Sequence, residues 1–355
     1  MSLIKTIGFR AVALALGGVI AFGVAEVGLR VFLPQRTGPL QFTGDPRFGP
    51  VPVPSLRGQA TLPGVWKYTF AHDSMGLRRT GLVERDGTKT KVLVLGDSFT
   101  YGLGVSDEQT FAAVLEQGLS RAGLSVDVIN AGSPAQGTDY ALRFVELVGH
   151  SFQPKLTVLC FFSNDFRDNR TSRIYSVNDN DTLSLRPTAA ARSKMAESRR
   201  STASWILTWS HVANLRRMMD AARRTRRIPP GEDPDYVNDV NRRTTRIYLH
   251  HFVKKVTETG SDLVVFYIPR GGEIKRYRET GTVSTDEATL GALLATVGHA
   301  PISLTPVIAG ANLPLLALYY DEERRGIPNG HWTPAAHSLA ASFMVTALRA
   351  RLNGH

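Results

Sequence analysis

Long uninterrupted apolar runs mark the second half of the chain, each followed by a polar, helix-like stretch. "KVLVLG", Lys91 to Gly96, is such a run, and the spacing from Thr110 to Ala122 predicts a helix after it. "SVDVINAG" and "LTVLCFF" read as further strands, with a helix from Asp139 to Val148 between them that Gly149 stops. Further on, "VNDVNRRTTRIYLHHFVKKVTETG" predicts a long helix ending at Gly260, and "DLVVFYIP" another buried strand. "ATLGALLATVGH", "PISLTPVI" and "TPAAHSLAASFMVTALRARL" complete the alternation. Strands that are apolar on both sides belong in a parallel sheet covered on both faces, so the fold class is α/β: a doubly wound, flavodoxin-like parallel sheet.

The first 90 residues follow other rules. After Lys5 and Arg10, about fifteen uncharged residues lead to Glu26 and Arg30. A helix from Ala11 to Phe32 would extend about 33 Å, enough for a hydrocarbon core of about 30 Å. The expected element over residues 1–34 is an uncleaved signal anchor. A signal peptide cut after Ala25 and a buried helix of a soluble protein are the alternatives. Basic residues before the span place Met1 in the cytoplasm and the rest outside it, so the expected location is the inner membrane, single-pass, with the bulk of the chain periplasmic or extracellular. Residues 35–90, rich in Pro and Gly without a sustained period, read as an extended lead-in, and residues 91–355 as the main domain.

Charge adds a third feature. The net charge is +11 over 355 residues, and eleven Lys or Arg stand between Arg186 and Arg227 against Glu197 and Asp220. These residues fall in an insert at about 169–230, where "SWILTWSHVANLRRMMDAARRTRR" has the spacing of an amphipathic helix. Its basic face is either simply solvated or a rim for an anionic polymer or lipid; nothing beside it reads bases, so no nucleic-acid partner is expected. The single cysteine, Cys160, sits in an apolar strand, which excludes an internal disulfide and a cysteine-ligated metal site. His250 and His251 have no partner at metal-binding spacing, and neither G-x-G-x-x-G nor Gly-Lys-Ser/Thr occurs near Gly102 to Val105, so no cofactor is expected.

In a doubly wound sheet, ligands bind past the carboxyl ends of the strands. Three strand ends carry polar residues here: Asp97-Ser98 after Gly96, the stretch from Asn130 to Thr138, and Ser163-Asn164-Asp165. "NGHWTPAAH" adds His331 ahead of the last helix, while His337, six residues later, reads as a structural histidine. A nucleophile, a base and donors for a developing oxyanion are the needs of acyl transfer, and this set offers each.

These segments resemble the blocks of the SGNH hydrolase superfamily, the GDSL-type esterases and lipases. "GDSFTYG" is similar to the first block, "INAGSPAQGT" to the second, "SND" to the third and "HWTPAAH" to the fifth. The order agrees, from about Phe70 to the C-terminus with the basic insert left out. "MGLRR" and the Glu26/Arg30 pair look like a membrane-anchored bacterial branch. The resemblance implies Ser98 as nucleophile and His331 as base. It also implies an oxyanion hole from the backbone N–H of Ser98, a backbone N–H at Ala135 and the Asn164 amide. Asp97, Gly132, Gly137 and Asp165 would support the turns.

Two positions depart from the family pattern. Ala135 stands where the second block has glycine, which leaves a backbone N–H in place. The fifth block's aspartate, two or three residues before the histidine, is replaced by Asn329 and Pro328. A backbone carbonyl would then orient His331, or Asp321 or Glu322 would reach it; spacing does not decide. The expected function is a serine esterase acting on a short acyl group of a carbohydrate. Transfer of the acyl group to a glycan, or a non-catalytic glycan-binding protein on the same fold, are the alternatives.

Overall fold

The computed structural model describes residues 3–45, 47–80, 88–172, 174–186, 209–216, 219, 237–322 and 330–353. Asn329 and most of the basic insert lie outside the described residues. In chain order the elements are α1 (Leu3–Phe32), β1 (Phe42–Asp45), β2 (Gly49–Pro52), β3 (Arg57–Leu62), β4 (Trp66–Ala71), β5 (Thr90–Gly96), α2 (Ser98–Tyr101) and α3 (Phe111–Arg121). Next come β6 (Val126–Asn130), α4 (Thr138–Leu147), β7 (Leu156–Phe162), α5 (Asp165–Arg170), β8 (Tyr175–Val177), β9 (Leu183–Leu185), α6 (Asp239–Glu258) and β10 (Asp262–Ile268). The last are α7 (Gly271–Thr280), α8 (Thr285–Ala295), β11 (Pro301–Ser303), α9 (Thr305–Gly310), α10 (Leu315–Leu318) and α11 (Pro334–Asn353).

The central sheet has five strands in the order β11-β10-β7-β5-β6, all parallel. This is the flavodoxin-like order, whose reversal point falls between β5 and β7. Alternate side chains serve two cores. Val92, Val94, Val128, Val158, Cys160 and Phe266 meet α3, α9 and α11 on one face. Leu93, Leu95, Ile129, Leu159, Phe161 and Val265 meet α4, α6 and α8 on the other. Burial on both faces explains why these strands are apolar throughout.

Elements that the apolar pattern predicts differ only at their ends. Asn238 caps α6 by accepting from the Asn241 N–H at 2.8 Å, and Gly260, just past its end, adopts φ +73°. Among the helices of ten residues or more, α7 has no counterpart in the pattern: it buries only Glu273 and Ile274, so its sequence carries little amphipathic signal.

The lead-in is more ordered than an extended strap. β1 pairs with β2 and β3 with β4, both antiparallel. Along β4, Trp66, Tyr68 and Phe70 are buried while Lys67 and Thr69 are exposed, and the buried three pack with Ala60 and Leu62 into a small core of their own. A period of two over so few residues is a weak signal among prolines and glycines.

Within α1, Ile7–Phe32 is 26 residues long and apolar enough to cross a membrane, and its most apolar part is not buried against the protein. Its far end is nevertheless tied to the insert. Glu26 Oε1 accepts from the His211 N–H at 2.8 Å, and Glu26 Oε2 accepts from the Val212 N–H and the Ser210 hydroxyl, each at 3.0 Å. Arg30 bonds both Glu26 at 3.0 Å and the Trp209 carbonyl at 2.8 Å.

Arg78, in the lead-in, is one of the largest fully buried side chains among the described residues. Its guanidinium donates to Asp107 at 2.5 Å, to the Gly102 carbonyl at 3.0 Å and to the Val105 carbonyl at 2.7 Å, and lies 4.6 Å from the Tyr101 ring centre. It thereby fixes the loop that follows α2. Arg78→Met would leave Asp107 and these carbonyls without their donor. The expected loss is about 3 kcal/mol or more, read as a lower denaturant midpoint; an unchanged midpoint would show that the loop holds itself.

His337, on α11, is fully enclosed, with Nδ1 accepting from the Phe111 N–H at 3.1 Å and the ring stacked on Phe111. Burial, with lesser contributions from Arg78 and His331, pushes its pKa down to about 3. An unfolded histidine binds its proton near 6.5, so between about 3 and 6.5 the unfolded chain holds more protons and stability falls as the pH falls. Wild type is expected to lose about 2 kcal/mol more than His337→Gln between pH 7 and pH 4.5, measured by urea unfolding in detergent. Parallel pH curves for the two proteins would contradict this account.

Candidate active site

The loops at the carboxyl ends of β5, β6 and β7 meet at the point where the strand order reverses. Gly96 ends β5, Asp97 caps α2 by accepting from the Phe99 N–H at 2.9 Å, and Ser98 is the first residue of that helix. The loop after β6 is stitched to this turn. Ser133 N–H donates to the Gly96 carbonyl at 2.9 Å, and Asn130 Nδ2 donates to the Thr100 carbonyl at 2.9 Å. A Cβ on Gly132 would lie 2.2 Å from the Tyr101 nitrogen, so only glycine lets the two loops approach this closely.

Ser98 Oγ lies 2.9 Å from His331 Nε2, although 233 residues separate them. On the other side of the ring, His331 Nδ1 lies 2.6 Å from Glu322 Oε2. A carboxylate only accepts, so Nδ1 carries the proton and Nε2 turns its lone pair toward the serine hydroxyl. The same Oε2 accepts from the His331 backbone N–H at 2.7 Å, and Oε1 accepts from the Trp66 indole at 2.6 Å. Burial alone would raise the Glu322 carboxyl, but the imidazole and these hydrogen bonds hold it below the ordinary carboxylate range. Ser98 and His331 each keep 9% exposure, whereas Glu322 has none, so only the serine end of the line meets solvent.

Glu322 therefore stands where sequence spacing left two acids and a carbonyl open. It sits nine residues before the histidine because the two segments run alongside each other. Tyr320 N–H donates to the His331 carbonyl at 2.8 Å, and Tyr319 bridges Trp332. A Cβ on Gly330 would come 1.9 Å from the Tyr320 carbonyl oxygen, so this pairing requires glycine there.

Asn164 follows β7, and its side chain does not cap α5. Ala135 lies in the loop after β6 with φ +58°, a left-handed conformation that suits glycine better. Neither the Ser98 nor the Ala135 backbone N–H is used in a loop, turn or cap hydrogen bond among the described residues. Gly137 precedes α4 and donates to Asp139 at 3.2 Å; a Cβ there would come 2.5 Å from Asn169 Oδ1. Asp97 Oδ2 is 3.4 Å from Ser98 Oγ, a weaker contact than that of His331. Asp165 is buried behind the turn, with one oxygen near the Phe162 N–H at 3.4 Å and the other unpaired. Burial raises both acids, Asp97 to about 6 and Asp165 well above its ordinary value, and their mutual repulsion adds to the Asp165 shift.

Two residues of this constellation had no motif to announce them. Glu322 lies off the family spacing, and Trp66 lies 256 residues before it. The only hint in either case is the type of residue: an acid, and an indole with a donor to satisfy.

No curated protein matches the chain in sequence. Among solved structures, TesA overlaps 73% of this chain and 99% of its own, at 15% identity and a TM-score of 0.39. The lipase/acylhydrolase from Enterococcus faecalis overlaps 74% of this chain and 96% of its own, at 14% identity and a TM-score of 0.41. A two-domain esterase (CEX) active on acetylated mannans overlaps 75% of this chain at 14% identity and a TM-score of 0.38, and this chain spans 50% of it. The model of the GDSL-like lipase/acylhydrolase family matches residues 94–337, well over half of the sequence. The chain belongs to that family and is an SGNH serine hydrolase.

Proposed function

We propose that Ser98 is the nucleophile of an esterase, His331 its general base and acid, and Glu322 the carboxylate that orients the imidazole. The observation that carries this reading is the hydrogen-bonded line from Ser98 Oγ through His331 to Glu322, with distances of 2.9 and 2.6 Å. In the first half-reaction Ser98 Oγ bonds to the ester carbonyl carbon while its proton passes to His331 Nε2. The tetrahedral oxyanion is met by the backbone N–H groups of Ser98 and Ala135 and by the Asn164 amide. Collapse breaks the ester C–O bond, and Nε2 returns the proton to the departing alcohol. Water then bonds to the acyl carbon while its proton passes to Nε2; collapse breaks the acyl C–Oγ bond, Nε2 returns that proton to Ser98 Oγ, and the acid leaves. Glu322 steadies the imidazolium in both halves without taking up the proton.

The substrate proposed is a short acyl ester on a carbohydrate of the cell envelope. Its support is the family and an apolar α1, which as an anchor would hold the catalytic domain outside the cytoplasm at the inner membrane. On this reading the chain consists of an anchor at 1–34, a lead-in at 35–90 and a catalytic domain at 91–355 carrying the basic insert. That insert would then face an anionic lipid or polymer.

A chromogenic acetyl ester and a fluorophosphonate probe test this on the full chain in detergent. Wild type is expected to hydrolyse the ester and to be labelled, and Ser98→Ala to lose both by at least about 10³-fold. Glu322→Gln is expected to lower kcat by about 10⁴-fold at neutral pH, because an amide no longer fixes the imidazole tautomer, and Asn164→Ala by about 10² to 10³-fold. Turnover only with a sugar acceptor would favour acyl transfer over hydrolysis. Absence of labelling in the folded wild type would sink both.

A further inference from the structure

We propose that Trp66 is a positioning residue of the catalytic unit, its indole N–H fixing the Glu322 carboxylate so that Oε2 faces His331. The β3–β4 hairpin then belongs to the catalytic apparatus, although it lies upstream of the family match at residues 94–337. The inference rests on the roles given above to Ser98, His331 and Glu322.

A carboxylate with no exposure needs a donor for each oxygen. Oε2 has two, both from His331; among the described residues the bond to Oε1 comes from Trp66 alone, at 2.6 Å and with the indole itself 5% exposed. Without that bond the carboxylate is free to turn about its Cγ–Cδ axis, and one oxygen is buried unpaired. The indole cannot follow such a turn. Tyr68 packs at 5.2 Å between ring centres, and the Arg36 guanidinium lies 5.1 Å from the ring. A rigid donor held by one hairpin thus sets the angle of an acid carried by a different loop.

This predicts a particular pH signature. Losing a donor makes the Glu322 carboxylate a stronger base, so the Glu322–His331 pair takes up its proton at higher pH. Catalysis needs the unprotonated pair, and the acid limb of the activity profile therefore moves upward. The other groups facing the pair are Asp97 beside Ser98, His337 behind His331, Tyr320 next to Glu322, and Arg36 over the indole. A change at Trp66 removes none of these groups, and Trp66→Phe keeps a ring for Arg36.

The test compares wild type, Trp66→Phe, Trp66→Gln and Ser98→Ala as full chains in detergent. It measures the rate of fluorophosphonate labelling across pH, with thermal melting as the control for folding. Trp66→Phe keeps an aromatic ring and loses the donor; Trp66→Gln keeps an N–H that does not titrate. The Phe variant is expected to label about ten- to a hundredfold more slowly at neutral pH, the range for a hydrogen bond to a charged group, with its acid limb moved up by about half a unit or more. The Gln variant is expected to return the acid limb to the wild-type position, and it carries the test alone should the Phe variant not fold. A folded Phe variant with the wild-type limb, or a Gln variant whose limb is displaced, would overturn the proposal. Labelling of Ser98→Ala at the wild-type rate would instead remove the catalytic reading beneath it, so the two failures are distinguishable.

Discussion

A carboxylate enclosed in the protein, bonded on one side to an imidazole, is the constraint around which the site is arranged. An isolated buried charge is costly, and Glu322 is tolerable only because three donors and a polarisable ring meet it at fixed places. Meeting those demands ties β4, the stretch from Tyr320 to Glu322 and the stretch from Gly330 to Trp332 to one point. The reward is chemical: with Nδ1 committed to the acid, Nε2 has one orientation, toward Ser98. Orientation of this kind is prepaid in folding, so none has to be found when substrate binds.

The sheet supplies the other half of the arrangement. Because its order reverses between β5 and β7, the chain after Ser98 and the chain after Asn164 turn to opposite faces, Phe99 entering one core and Phe166 the other. Close backbone contacts then hold the loops at their spacing, and Gly132 and Gly330 are among the positions where a side chain would force them apart. Arg78 does similar work from below, gathering the carbonyls of the loop after α2 around one guanidinium.

Much of this was legible in the sequence, for physical reasons. Strands buried on both faces must be continuously apolar, and "KVLVLG", "LTVLCFF" and "DLVVFYI" are; each lies in the sheet. Ser98, Asn164 and His331 stand in short motifs at strand ends and a helix start, where local chemistry restricts the residues. Glu322 was legible only as one of two neighbouring acids, because its reach to His331 comes from two segments running side by side rather than from spacing along the chain. Trp66 was still less so, since β4 alternates over only a few residues and its partner is decided by tertiary packing. The helix α7, with one apolar residue buried, left almost no periodic trace. The helix α1 shows the reverse case: its apolar length was plain, whereas the contact of Glu26 with residues 210–212 depends on a segment distant in sequence.

The central claim is that the buried acid fixes which ring nitrogen of His331 carries the proton. Nitrogen NMR of the full chain with labelled histidine, His331 assigned by substitution, reads this directly at neutral pH. The account predicts a protonated Nδ1 with a strongly deshielded proton and a bare Nε2, and loss of that proton signal in Glu322→Gln. A ring protonated at Nε2, or a spectrum indifferent to the Glu322 substitution, would contradict it.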